Sequence, residues 1–259
     1  MLLTIDIGNT NVTLGVYAGE ALGPRWRLAT DHHKMADEYG ILLTSLLAHA
    51  KLDASQVHGI AVASVVPPLT GVFGQACESF LGQAPFVVDA GVKTGVRIRY
   101  DDPKMVGADR VVDAAAVQKL YGGPACVVDL GTATTFDAIS AEGDYLGGAI
   151  APGIGISADA LAQRTSKLTR VDLVRPPTAI GRNTVHAIQS GLILGHVGMI
   201  EGMVARFRGE LGPNMKVIAT GGLANLIANE TKSIDIIAPW LTLDGLRIVW
   251  EINHRVPGG

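Results

Sequence analysis

The 259-residue sequence has little of what marks several common protein classes. It holds two cysteines, Cys77 and Cys126. Their spacing fits neither a disulfide framework nor a metal-thiolate motif, so reduced core thiols are expected. Charged residues make up 17%, below the ~25% of a typical globular chain, and nearly cancel at a net charge of −3. With a pI near 6.1, nothing marks a nucleic-acid or anionic-membrane partner. The longest apolar run, around Gly191 to Ile200, is interrupted by His196 and glycines and falls short of the ~18 residues of a spanning helix. No basic segment precedes the first short apolar run, so no secretory signal is expected and the cytoplasm is the expected location. His32, His33, His49 and His58 match no metal spacing and read as solvated. What the chain has in quantity is apolar: mean hydropathy is +0.31, which points to a large core, an apolar surface and self-association.

The most informative stretch is the first. Leu2 to Ile5 is a β-prone run, followed by Asp6, then Gly8-Asn9-Thr10-Asn11, then a second β-prone run from Val12 to Tyr17. Two such runs around a Gly/Asn segment read as a β-hairpin. Gly8 admits close approach of a ligand to the backbone, and Asn9, Thr10, Asn11 and Thr13 bring amides and hydroxyls. Such a turn, without a basic side chain, suits a phosphate chain, with Asp6 holding Mg²⁺ directly or through water. An ordinary hairpin with turn-forming residues is the bland alternative.

The pattern comes twice. Ala125 to Ile139 repeats strand, Asp129-Leu-Gly-Thr132 turn and strand, with Asp129 lying 123 residues after Asp6. A second echo follows in each half: Ile60–Val66 corresponds to Val217–Leu223, a buried-type strand entering a small-residue turn. Two related halves suggest a nucleotide served by both. Strands alternating with helices indicate a mixed-sheet α/β architecture, with a boundary where Tyr121-Gly-Gly-Pro124 breaks a helix.

Other stretches add detail. Ile41, Leu42, Leu46 and Leu47 fit one face of a helix opened by Asp37 and Glu38. Pro67-Pro68 pre-sets the start of a helix running to Leu81. Gly107 to Leu120 reads as helix, which brings Asp109 and Arg110 near its start beside a glycine that clears space. A carboxylate next to a guanidinium there suits capture of a polar substrate; a capping Asp beside a surface Arg is the alternative. Gly147-Gly148 to Gly153 reads as a glycine-rich turn that a flat ligand such as adenosine could approach. Asn183 or Thr184 could cap a long helix reaching Leu211. On it Gly191, Gly195, Gly198 and Gly202 share a face, and at about 1 kcal/mol each they call for a closely packed partner, either a second subunit or the helix after Gly107.

The paired Asp-x-Gly-Asn/Thr turns resemble those of the acetate and sugar kinase, heat-shock ATPase and actin superfamily. Asp6-Ile-Gly-Asn-Thr-Asn11, Asp102 to Arg110, Asp129 to Thr135 and Gly147 to Gly153 together resemble type III pantothenate kinases, with Gly107-Ala-Asp-Arg110 the most specific block. The resemblance implies an α/β fold of two duplicated actin-like (ribonuclease H-like) domains, residues 1–120 and 121–259, each a mixed sheet flanked by helices. It implies ATP-dependent phosphorylation of the primary hydroxyl of pantothenate, the first step towards coenzyme A. Asp6, Ile7, Gly8, Asn9, Thr10, Asn11, Val12, Thr13 and Thr132 would bind ATP, with Mg²⁺ at Asp6. Asp129 would bind a monovalent cation, K⁺ or NH₄⁺. Asp109 would accept the hydroxyl proton, and Tyr100, Gly107, Ala108, Asp109, Arg110 and Thr184 would hold pantothenate in a homodimer. The rivals are another small-molecule kinase, an ATPase of the actin or chaperone type, whose extra subdomains 259 residues would not house, and a non-catalytic transcriptional accessory protein on the same fold.

Overall fold

The computed structural model describes residues 1–254. Its contacts divide the chain into two compact units, one of Met1–Lys119 joined by the segment from Thr242 onward, the other of Leu120–Leu241.

In the first unit, β1 (Leu2–Ile7), β2 (Asn11–Ala18) and β3 (Ala21–Ala29) form an antiparallel meander, and β4 (Gly59–Ser64) and β5 (Phe86–Val87) continue the sheet in parallel, in the order β3-β2-β1-β4-β5. Sitting mid-sheet, β1 is buried along nearly its whole length. Its alternating residues Leu3, Ile5 and Ile7 join Leu14, Val16 and the helices α1 (Ala36–His49) and α2 (Pro67–Leu81) in one core. α3 (Ala108–Leu120) carries a fully buried run, Val111 to Val117.

The second unit repeats this plan. β6 (Ala125–Leu130), β7 (Ala133–Ile139) and β8 (Tyr145–Pro152) form the meander, with β9 (Lys216–Thr220) and β10 (Ile236–Ile237) parallel, in the order β10-β9-β6-β7-β8. Helices α4 (Ile154–Arg164), α5 (Thr184–Leu211) and α6 (Ala224–Ala228) accompany it. The repeats hold down to register: Leu3 pairs with Ile60 and Cys126 with Val217, as the two sequence echoes align them. The turns differ by one residue, since Asp6 pairs with Thr13 but Asp129 with Thr135. These two five-stranded mixed sheets flanked by helices are the expected fold class.

Three local expectations change. The buried face of α1 is Tyr39, Gly40, Leu43 and Leu47, and Ile41 is 57% exposed. Tyr39 packs on Phe73 with ring centroids 4.3 Å apart, and Gly40 lies under the Phe80 ring, so the partners on α2 choose the face. Gly147 and Gly148 lie within β8 rather than in a turn. Gly147, at φ +122°, sits beside the irregularity in pairing at Ala138/Ile139, where a left-handed residue is wanted. Finally α7 (Leu241–His254), read from sequence as part of the second half, makes its contacts with the first unit. Leu243, Leu246 and Val249 are buried; a side chain at Gly245 would collide with the Val112 backbone; Gly59 lies against the Trp250 ring; and the Tyr17 hydroxyl donates to Asp244 at 2.7 Å.

Asn183 caps α5, its side chain accepting from the His186 N–H at 2.9 Å. By length and composition this 28-residue helix could cross a membrane, unlike the shorter apolar run within it, but Ile188, Leu192, Ile193, Ile200 and Val204 are buried in the second core. Among the described residues, nothing lies within 4 Å of where a Cβ would stand at Gly191, Gly195 or Gly198. No packing partner for this glycine stripe is therefore found within the described chain.

Candidate active site

In the first unit, β1 ends at Asp6 and Ile7, and the turn that follows is tightly held. The Gly8 N–H donates to the Asn11 carbonyl at 3.0 Å. Thr30, just past the end of β3, holds the turn from the other side: its N–H donates to the Thr10 carbonyl at 2.9 Å and its hydroxyl to the Gly8 carbonyl at 2.6 Å. Asn9, Thr10 and Asn11 are exposed, Asp6 and Thr13 half-buried, and Ile7 and Val12 fully buried, so the last two serve the turn through their backbone.

The second stretch of this unit sits at the start of α3. The Val111 N–H donates to the Gly107 carbonyl at 3.2 Å, opening the helix there. Asp109 accepts from the Arg110 N–H at 2.8 Å and stands in the first turn, where the helix dipole favours a carboxylate. A side chain at Gly107 would collide with that carboxylate. Val65 links the two stretches: its N–H donates to the Ile7 carbonyl at 3.1 Å, and its Cγ1 lies 3.3 Å from where a Cβ would stand at Gly107. A cavity of about 1030 Å³ reaches Gly107 and Ala108, with Val65, Val88, Ile98 and Val111 on its walls beside the Ser64 and Thr70 hydroxyls. Those two hydroxyls are bonded to each other at 2.8 Å. Tyr100, on the connection from β5 to α3, is 40% exposed.

In the second unit, Asp129 ends β6 as Asp6 ends β1. Gly221, at φ +90°, brings the turn after β9 so close that a Cβ would collide with the Asp129 carboxylate and the Leu130 backbone. The Leu223 N–H donates to the Leu130 carbonyl at 3.2 Å, echoing the bond from Val65 to Ile7. Thr132 is exposed in the β6–β7 turn, and Gly153, at the start of α4, lies against the Gly131 and Thr132 carbonyls where a side chain would not fit. Beneath it His196 of α5, buried, holds its Nε2 3.2 Å from the Pro152 carbonyl, so that nitrogen carries the proton and donates. Thr184 is exposed in the first turn of α5. Its loop is strapped down by a hydrogen bond from Ser190 to the Ala179 carbonyl at 2.6 Å and by close approach of Gly181 to Ala187.

Thus the Asp6 turn and the Gly107–Arg110 block meet in one unit through Val65, and Asp129 and Thr132 sit together in the other. Thr30, Thr70 and His196 carried no motif signal, and Ser64 and Val65 only their place in the second echo. Their parts are played largely through backbone groups distant in sequence. Among the described residues, no cluster of three or more His, Cys, Asp or Glu could cage a metal ion. Both cysteines are buried, with burial pushing their thiols up to about 12, and neither is a nucleophile.

Residues 2–206 match the family model for type III pantothenate kinase. The chain belongs to the type III pantothenate kinase family. A type III pantothenate kinase of Moorella thermoacetica (strain ATCC 39073 / JCM 9320) is 55% identical over 253 residues, covering 98% of this chain and all of that one. Among solved structures, a conserved Campylobacter jejuni protein described as a Baf family transcriptional activator has a TM-score of 0.61 at 20% identity, covering 97% of this chain and 98% of its own. The activator of 2-hydroxyisocaproyl-CoA dehydratase from Clostridium difficile, with bound ADPNP, has a TM-score of 0.53 at 12% identity, covering 100% of this chain and 98% of its own. At those identities the structures share the fold alone. The sequence relatives go further: this pantothenate kinase is a transferase running ATP-dependent chemistry on pantothenate in coenzyme A biosynthesis.

Burial also sets a pH dependence of this kinase's stability. It holds His196 below the ordinary histidine value, against the opposing pull of the Pro152 and Leu192 carbonyls. As pH falls below about 6.5, the unfolded chain takes the proton before the folded one, so the stability carried by the neutral ring is present above that value and lost beneath it. Between about pH 7.5 and about pH 5.5 the urea midpoint of the native kinase is expected to drop more than that of His196→Gln, whose amide donates without titrating.

Proposed function

We propose that Asp109 accepts the proton of pantothenate's primary hydroxyl while the Asp6 turn and Thr132 hold the β- and γ-phosphates of ATP. The observation that carries this reading is the fit at Gly107, which lines the cavity with Ala108: its absent side chain leaves room for the Asp109 carboxylate, and it lies against Val65, whose N–H is bonded to Ile7 at the start of the proposed nucleotide turn. Phosphoryl transfer asks for positioning and charge neutralisation more than covalent chemistry. A carboxylate held beside the acceptor can take its proton late in a loose transition state. The valine-walled cavity suits the branched, apolar part of pantothenate, with hydroxyls at Ser64 and Thr70 for its polar part. Arg110, Tyr100, Gly107, Ala108 and Thr184 would hold the carboxylate and amides of the substrate.

The donor set fits the metals. A single carboxylate, Asp6, beside an open turn suits Mg²⁺ that arrives with ATP and keeps most of its waters. Gly221 and Gly131 lie close around the Asp129 carboxylate, which supports reading it as the ligand of a monovalent cation such as K⁺ or NH₄⁺. Such ions neutralise charge on the phosphates when bound. No lysine occupies either turn to do so. Cytoplasmic location and a homodimer complete the reading. The open glycine stripe of α5, with Thr184 two turns before Gly191 on the same face, supports a second copy lying there. The regulator alternative is not favoured, since Asp6, Asp109 and Asp129 are all in place.

ADP release from Mg-ATP is expected to require pantothenate, and Asp109→Asn should stay folded while losing about 10²–10⁴-fold in kcat. Retention of most activity would remove Asp109 from the role of base. Replacing K⁺ by Na⁺ is expected to lower turnover, and Asp129→Asn to abolish that cation difference. Gly195→Leu should leave the thermal melt of the fold intact while shifting light scattering from dimer to monomer; a dimer that persists would move the interface elsewhere.

A further inference from the structure

Thr30 lies outside every motif, yet it makes two bonds to the turn after Asp6. Its hydroxyl donates to the Gly8 carbonyl and its N–H to the Thr10 carbonyl. Within a trans peptide the C=O of one residue and the N–H of the next point in opposite directions. Among the described residues the one cis bond is Gly123–Pro124, so both turn peptides obey this. Drawing the Gly8 carbonyl towards Thr30 turns the Asn9 N–H away from it, and drawing the Thr10 carbonyl does the same to the Asn11 N–H. Without the hydroxyl, the Gly8–Asn9 peptide has nothing on this side to hold its orientation, and Gly8 is the residue most free to rotate.

We infer that Thr30 is a positioning residue for the nucleotide: through its paired bonds it aims the Asn9 and Asn11 N–H groups at the anionic oxygens of the phosphate chain. Outward-pointing amides form an anion-binding concavity only while their peptide planes are fixed. The bond between the Gly8 N–H and the Asn11 carbonyl closes the turn on its inner side, and Thr30 fixes its outer side. Thr30 itself touches no reacting atom in this role. The inference rests on the reading of the Asp6 turn as the phosphate site.

The test compares Thr30→Val, which keeps the shape and removes the hydroxyl, with Thr30→Ser, which keeps the hydroxyl, and with Gly8→Ala, whose Cβ would press on the Asn11 carbonyl at 3.0 Å. Steady-state kinetics with both substrates and calorimetric titration with ATP, ADP and adenosine are read alongside thermal melts. Thr30→Val is expected to raise the KM for ATP and weaken ATP and ADP binding about three- to tenfold, as loss of one hydrogen bond would. Adenosine binding and the KM for pantothenate should move less than about twofold, and Thr30→Ser should return to near the native values. If Thr30→Val melts early, Thr30→Ala takes its place against the same Ser rescue. A KM for ATP unmoved in Thr30→Val while Gly8→Ala raises it would overturn the inference alone. So would equal losses for adenosine and ATP, or no rescue by serine. ATP binding unmoved by Gly8→Ala would overturn the phosphate-site reading and the inference with it.

Discussion

Each half of this kinase depends on a strand hydrogen-bonded along both edges. β1 lies between antiparallel β2 and parallel β4 over all six of its residues, and β6 between β7, over all six of its own, and β9, over five. A strand in that position has its register fixed twice over, and a one-residue slip would turn its buried side chains to the wrong face. Where the two neighbours part, one into a hairpin turn and the other into a helix, the last residue but one of the central strand is an aspartate. Asp6 and Asp129 are therefore not merely present at similar sites. They are delivered there by the same ladder, and the strand ends beside them accept similar backbone bonds one residue out of step, from Val65 to Ile7 and from Leu223 to Leu130.

Glycine is used in two opposed ways across this frame. At Gly107, Gly153 and Gly221 a side chain would strike a carboxylate or a carbonyl of the candidate site, so the residue is fixed by what lies against it. At Gly191, Gly195 and Gly198 nothing of the described chain is near. There no contact among the described residues offsets the cost of a glycine inside a helix. The first group is fixed from within its unit, and the second leaves a face of α5 open.

Much of this was legible before any coordinates. The paired turns after Asp6 and Asp129 are local chemistry, read from consecutive residues, and the strand pairing follows the alignment of the echoes. The face of α1 was misread at Ile41, which is exposed, while Leu47 is buried and Leu42 and Leu46 pack against the core; Tyr39 and Gly40 were missed because their partners Phe73 and Phe80 lie some thirty to forty residues later. Gly147 and Gly148 looked like a turn because strands seldom hold adjacent glycines. Thr30 left no trace in the sequence and Val65 only its place in the second echo, since the Thr30 hydroxyl and N–H and the Val65 N–H find their partners in a register that only the folded sheet defines. Burial of α7 against the first unit hangs on Gly245 and Gly59, two small residues 186 positions apart.

The return of α7 gives the molecule an asymmetry that the internal repeat conceals. The second unit is an uninterrupted stretch, whereas the first is written in two pieces with the whole second unit inserted between them. During synthesis from the N-terminus, the second unit is finished and can close on its own core while the first still lacks Leu243, Leu246 and Val249. The unit that bears Asp6 and Asp109 is the earlier of the two to be started and the later to be completed. Tyr17, Gly59 and Val112 must stay available to a helix made after the whole second unit, and a chain stalled before α7 would hold the Asp6 turn on an unfinished core.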